Sequence, residues 1–290
     1  MLRQKPQKVD ILILGAGWTS TFLIPLLDKS QVTHAETTTT GRENTIPFTF
    51  DPSSTSTEPY KSLPPASTVL ITFPLKGHGQ SKRLTDLYRA IHGDSNNWIQ
   101  LGSTFIFNQV NGWNDENSPY DKTDARAIAE DELMDCVGGC ALDLVGLYGG
   151  VRVPRTWIPR LAKTKEDVKK RANVHFVHGE DVARAILCTH RRFTHGKRWI
   201  VADLRCYDWW DLILSFCALA EGEEVGLEGQ TEEQKQQREE KLKFATWVGE
   251  LMVEEGVKAL PREIDSFERK LDTRGFWKFH GEWPKHARLG

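Results

Sequence analysis

The sequence predicts an α/β fold, a doubly wound parallel sheet with a smaller C-terminal lobe. Three observations lead there. Apolar strand signals alternate with helical periods across the first half of the chain. The first such pair is joined by a glycine turn, in the stretch "VDILILGAGWTSTFLIPLL". The 290 residues are ample for one large α/β unit and a small lobe.

Ile11, Leu12, Ile13 and Leu14 form an unbroken apolar run, the pattern of a strand buried on both faces. Gly15-Ala16-Gly17 follows, and Phe22, Leu23, Leu26 and Leu27 then recur at helical spacing. "QVTHAETTTTGR" reads as a second strand and "NTIPFTFD" as a third, ending at Asp51. "DPSSTSTEPYKSLPPAS" is a connection holding one short helical turn from Glu58 to Leu63. "TVLITFP" is a fourth strand stopped by Pro74, and "GQSKRLTDLYRAIHG" a helix ended by Gly93. "NWIQLGST" is a fifth strand. "TDARAIAEDELMDCV" is a helix with Thr123 as its cap, and "CALDLVGLYG" is a sixth strand. These elements place a core over residues 1–150. Residues 151–290 read as a mixed lobe that returns in part to the core. In it "VHFVHGEDVARAILCTH" is strand, turn and helix, "KRWIVAD" a strand, and "DWWDLILSFCALAEG" an apolar helix. A charged helical insertion is expected around 221–245, as a solvated face or a mobile segment. Most of the ten tryptophans are expected as core or interdomain anchors.

Composition excludes several function classes. A formal net charge of −2 and a pI near 6.5 give no drive toward nucleic acid or membrane surfaces. A mean hydropathy of −0.47 without a long apolar run excludes a membrane span. The polar start "MLRQKPQKVD" leaves no room for a signal or transit peptide. Five cysteines without C-x-x-C spacing fit reduced thiols. The expectation is a cytoplasmic monomer or homodimer acting on a small molecule. A G-x-S-x-G elbow and a G-x-x-x-x-G-K-[ST] loop are both missing, which argues against serine hydrolysis and P-loop ATPase chemistry.

The glycine loop supplies the first candidates. Gly15 permits a tight turn, Gly17 lets backbone approach a pyrophosphate, and the helix-start N–H groups at Trp18, Thr19 and Ser20 can bind phosphate. Ser20 stands where a dinucleotide fingerprint has its last glycine and is small enough to keep helix and strand close. The other reading is an ordinary strand–turn–helix start. Trp18 either fills the site, covers one face of a ligand, or packs outward against the lobe. Ser103 and Thr104 end the fifth strand, at the crevice where open sheets bind ligands, and either hold a substrate carbonyl or bond local backbone. His178 and Asp181 lie three apart. No further metal ligand stands at suitable spacing, so no metal is expected, and Asp181 reads as a helix N-cap.

Five segments in order resemble the extended or atypical short-chain dehydrogenase/reductases: "GAGWTS", "LGSTFIFN", "ARAIAEDELM", "LVGLYGGVR" and "VHFVHGEDVARAIL". The resemblance runs from Val9 to about Leu214 and implies a Rossmann-type fold binding NAD(P)(H). It implies cofactor contacts from the glycine loop, from Asp51 at the adenine, and from Pro74 and Leu75 after the fourth strand. It implies substrate contacts from Tyr148, Arg152 and His178. At the second strand's end Thr40-Gly41-Arg42 carries no carboxylate. Arg42 and Thr40 there imply NADP(H) in preference to NAD(H), or else Arg42 is an exposed turn residue. The family's Tyr-x-x-x-Lys pair is absent. Its positions fall on Lys122 and Arg126, and only a shifted register brings Tyr120 into play. Two functions follow from the resemblance. One is an oxidoreductase-like protein acting on a small carbonyl, alcohol or sugar-like compound. The other is a non-catalytic NADP(H)-binding scaffold or redox sensor controlling a partner.

Overall fold

A computed structural model describes residues 7–217 and 231–289. The chain opens with β1 (Val9–Leu14), α1 (Ser20–Lys29), β2 (His34–Thr38) and β3 (Ile46–Pro47). It continues with β4 (Ala66–Ile71), α2 (Gln80–His92), β5 (Asn97–Ser103), β6 (Gly112–Asn114), α3 (Ala125–Val137), β7 (Cys140–Leu144) and β8 (Gly146–Tyr148). The second half holds α4 (Ile158–Leu161), α5 (Lys165–Lys169), β9 (Asn173–Val174), β10 (Phe176–His178), α6 (Gly179–Arg191), β11 (Arg198–Val201) and β12 (Tyr207–Asp208). It ends with α7 (Trp209–Cys217), α8 (Glu232–Glu254), β13 (Arg269–Leu271) and α9 (Arg274–His280).

The central sheet has seven strands in the order β11-β7-β5-β4-β1-β2-β3, all parallel. Successive side chains leave a strand on opposite faces, so each strand feeds two cores. Ile11, Ile13, Leu70 and Ile99 pack with Leu23 of α1 and Ile186 of α6. Leu12, Leu14, Val69 and Trp98 pack with Tyr88 of α2 and Leu133 of α3. From β1 the chain runs outward to β3 and returns on β1's other side as β4. That reversal opens a crevice at the C-terminal ends of β1 and β4, where doubly wound sheets bind ligands.

The lobe has its own core, in which Tyr148, Phe176, Trp209 and Trp210 meet Phe244, Val248 and Leu251 of α8. β11 comes from the second half of the sequence and completes the sheet's edge beside β7.

Several sequence expectations shift. The third strand shrinks to Ile46–Pro47 at the sheet's edge, where a proline is tolerated, and the Phe48 N–H donates to the Thr38 carbonyl at 2.9 Å just beyond it. The sixth breaks at Val145, and β8 leaves the main sheet to pair with β10. The cap of α3 is Asp124, whose carboxylate accepts the N–H groups of Arg126 and Ala127, and not Thr123. The cap of α6 is His178, whose Nδ1 accepts the Glu180 N–H at 3.2 Å, and not Asp181. Asp181 lies buried in the first turn and accepts the backbone N–H groups of Lys285 and His286. The start of the expected charged insertion, with the end of the apolar helix before it, lies outside the described residues. From Thr231, which closes a capping box with Gln234, the tract is helix. It is tied to α5 by Lys165, whose ammonium reaches Glu250 at 2.7 Å and Glu254 at 2.5 Å. Among the described helices none is long and apolar enough to cross a membrane.

Candidate functional site

The loop between β1 and α1 forms the floor of the crevice. Gly15 has φ +95°, and a Cβ there would press on Thr72 Oγ1 at 2.8 Å, so the turn needs glycine. A Cβ at Gly17 meets nothing within 4 Å. The chain passes this point with its backbone bare toward open space. The N–H groups of Trp18 and Thr19 have no acceptor among the described residues, and Thr19 adds no side-chain cap to α1. Free donors at a helix start, with an open face before them, suit an anion. Ser20 lies beneath the loop, buried, its hydroxyl without a partner. There it serves close packing and does not line the crevice.

Trp18 lines the site and also packs against the start of the lobe. Its indole N–H donates to the Gly149 carbonyl at 3.1 Å, the Arg152 guanidinium lies 4.2 Å from its ring centre, and Phe22 meets it edge-on. The indole thus forms one wall and ties the loop to the start of the lobe. A cavity of about 300 Å³ lies against it, lined also by Gly17, Thr19, Ser103, Arg126 and Arg152. A second cavity of about 410 Å³ continues over Gly15, Thr37, Thr38, Thr39 and Leu75, and the two share Pro74. Two arginines and no carboxylate line the pair. Arg126 donates from Nη2 to the Leu101 carbonyl at 3.1 Å, while its buried Nε has no partner.

Other sequence candidates stand elsewhere. β2 ends at Thr38, so Thr37 to Thr39 line the second cavity, and Thr40 and Arg42 sit in the exposed turn beyond. Asp51 does not line it. Its carboxylate accepts the Ser53 N–H at 2.8 Å and hydroxyl at 2.6 Å, the local turn that Asp favours. Thr104 is buried and donates to the Leu144 carbonyl at 3.2 Å. Tyr120 is locked away from the cavity. Its hydroxyl donates to Asp131 at 2.7 Å and its ring lies under the Arg198 guanidinium. Burial, then the Asp131 bond, holds its pKa above the ordinary phenol value. Lys122 is exposed and its nearest ring is that of Tyr120. Tyr148 is buried and donates to the Arg288 carbonyl at 3.2 Å. His178 packs against Tyr148, Phe22 and His286, outside the cavity.

One buried charge network behind the crevice escaped sequence reading. Arg198 of β11 bonds Glu130 of α3 and Asp143 of β7, at 3.0 Å for the latter, and reaches Asp131 at 2.9 Å. Glu130 and Asp143 are fully buried. Glu130 Oε1 and Asp143 Oδ1 both crowd the Cα of Gly102, where a Cβ would collide with them, and neither has another partner. Burial raises the pKa of both, and the Arg198 guanidinium beside them opposes that rise. The network leaves no room for a side chain at Gly102, which lines the cavity. An aspartate inside the apolar run "CALDLV" was the available signal.

No family model matches the sequence, and no curated protein matches it. Solved structures do. A protein described as an NAD-dependent epimerase/dehydratase from Methylobacillus flagellatus has a TM-score of 0.61 at 14% identity, over 97% of this chain and 94% of that one. A dTDP-glucose 4,6-dehydratase from Bacillus anthracis, solved with NAD, has 0.56 at 11% identity, over 96% and 93%. RMD from Pseudomonas aeruginosa, solved with NADPH, has 0.53 at 12% identity, over 84% and 99%. At such identities the likeness is one of fold, and the chain is built on the Rossmann architecture that these epimerase/dehydratase-type proteins share.

Proposed function

We propose that this protein binds a nicotinamide dinucleotide across the two cavities and is oxidoreductase-like, with a small carbonyl, alcohol or sugar-like compound beside Ser103. The observation that carries the reading is the bare Gly17 backbone with the free N–H groups of Trp18 and Thr19, facing a cavity lined by Arg126 and Arg152. Those donors and cations suit a pyrophosphate. Thr37, Thr38, Pro74 and Leu75 suit an adenosine half. The neighbours solved with NAD and NADPH support the same class of ligand. We read the finer preference as NADP(H). Acidic groups line neither cavity, and Arg42 makes no ion pair among the described residues in the turn just after Thr39.

The bound nicotinamide would supply or take a hydride. Ser103 offers a hydroxyl at the end of β5 and now accepts the Phe105 N–H at a long 3.4 Å, whereas the Thr72 hydroxyl, also on the cavity wall, donates to the Leu14 and Gly15 carbonyls. Arg126 offers a guanidinium and serves to place charge. With Tyr120 held by Asp131, no phenol is poised to exchange a proton with a substrate. General acid–base help is worth about 10²–10⁴-fold, so turnover on generic carbonyls should be slow. The same observation favours a second reading, a non-catalytic NADP(H)-dependent scaffold or sensor. NADPH oxidation across a carbonyl panel separates them, using wild type, Ser103→Ala and Tyr120→Phe. Slow turnover lost in Ser103→Ala supports an enzyme. Tight NADPH binding without any turnover supports the sensor. Fast turnover lost in Tyr120→Phe would overturn the account of the site.

A further inference from the structure

Two side chains at the start of α6 meet a third from the C-terminal segment, more than a hundred residues on. His178 caps that helix, Glu180 lies in its first turn, and His286 arrives from the C-terminal segment. One ligand atom from each lies within 4.8 Å of the other two. Their meeting is built into the fold. The buried carboxylate of Asp181 accepts the N–H groups of Lys285 at 2.8 Å and His286 at 2.9 Å. Arg184 adds a second clamp, donating to Asp181 at 2.9 Å and to the Trp283 carbonyl at 2.7 Å. The backbone of His286 is thereby fixed beside α6 while its side chain stays partly exposed.

We infer that His178, Glu180 and His286 form a binding site for one divalent transition-metal ion of the zinc type. Two imidazoles and a carboxylate are a borderline-soft donor set. It suits zinc, cobalt, nickel or copper better than magnesium or calcium, which require more oxygens. A fourth position remains for water. As the residues now stand, His286 Nε2 bonds Glu180 Oε2 at 3.0 Å, so a proton lies between the two groups that a cation would bridge. A metal ion replaces that proton. It also takes a ring nitrogen of His178, whose one hydrogen bond among the described residues is the long one from the Glu180 N–H to Nδ1. The two rings, 3.7 Å apart and tilted by 31°, must open so that their lone pairs converge. The partly exposed side of the His286 ring leaves room for this. The ion would fasten the C-terminal segment to the start of α6. It would also sit one ring away from Phe22, which packs on Trp18 of the cavity wall.

This site is independent of the dinucleotide reading, and its test does not use a nicotinamide. Full-length protein stripped with chelator is titrated with zinc by calorimetry, and with cobalt by visible absorption. Wild type should bind one equivalent of zinc, and cobalt should give the strong d–d bands of a four-coordinate site with nitrogen ligands. His286→Ala and His178→Ala should each weaken zinc by well over about 10-fold, the scale on which even outer-shell changes act. His195→Ala should leave it unchanged. His286→Ala changes only a partly exposed ring, so it also guards against a loss of binding caused by misfolding. Absence of stoichiometric binding in wild type, or an affinity unchanged in His286→Ala, overturns the proposal.

Discussion

At the scale of single residues, chemistry was legible where backbone dictated it and obscure where tertiary contacts did. The tight turn at Gly15 followed from strand, turn and helix in sequence, and its φ of +95° agrees; at Gly17 the structure shows open space within 4 Å of a Cβ. Trp18 could not be placed from sequence, because its indole is held by the Gly149 carbonyl and by Arg152, more than a hundred residues away. Tyr120 misled for the same reason: Asp131 and Arg198 claim it, and only folding brings Arg198 there. Two predictions belong at this scale. Arg42→Ala should weaken NADPH and leave NADH binding unchanged, measured by calorimetry. Equal effects on both would remove Arg42 from the ribose end of the site. The second concerns Asp203, which burial pushes up to about 7, against roughly 3.9 in an unfolded chain. The folded state then holds this proton more tightly than the unfolded state. Its contribution to stability is full in acid and is lost as pH rises from about 4 through about 7. The difference in urea stability between wild type and Asp203→Asn should move in the variant's favour across that window. Parallel profiles would show that Asp203 titrates normally.

At the scale of elements, strands and helices were read well in the first half, where apolar runs and periodicity are strong. Their ends were read less well. The cap of α3 slipped by one residue, because Thr123 and Asp124 are both good caps and only the carboxylate of Asp124 turns toward the Arg126 N–H. Asp124→Ala should cost about 1 kcal/mol of stability by urea melting, and Thr123→Ala only a few tenths. The reverse order would restore Thr123 as the cap. The break between β7 and β8 was invisible, because nothing in "CALDLVGLYG" says that β10 will draw its second half away. Pairing partners are a property of the fold and not of the segment.

At the scale of the molecule, the doubly wound sheet was legible because each strand's apolar run and each helix's stripe point to the same layered arrangement. The lobe was not. Its strands are two or three residues long, and its core is assembled from α7, α8 and the segments around Tyr148 and Phe176. The central claim is that the crevice at β1 and β4 binds a dinucleotide through bare backbone and two arginines. The most direct measurement is thermal unfolding of wild type and Gly17→Val with and without NADPH. Among the described residues a Cβ at Gly17 meets nothing within 4 Å, so the variant should unfold at the wild-type temperature without ligand. At 100 times its dissociation constant, NADPH should stabilise wild type by about 2.7 kcal/mol, a few degrees for a chain of this size. The account predicts that this shift disappears in Gly17→Val, because the valine side chain occupies the space of the pyrophosphate. An equal shift in both proteins, or none in wild type, would contradict it.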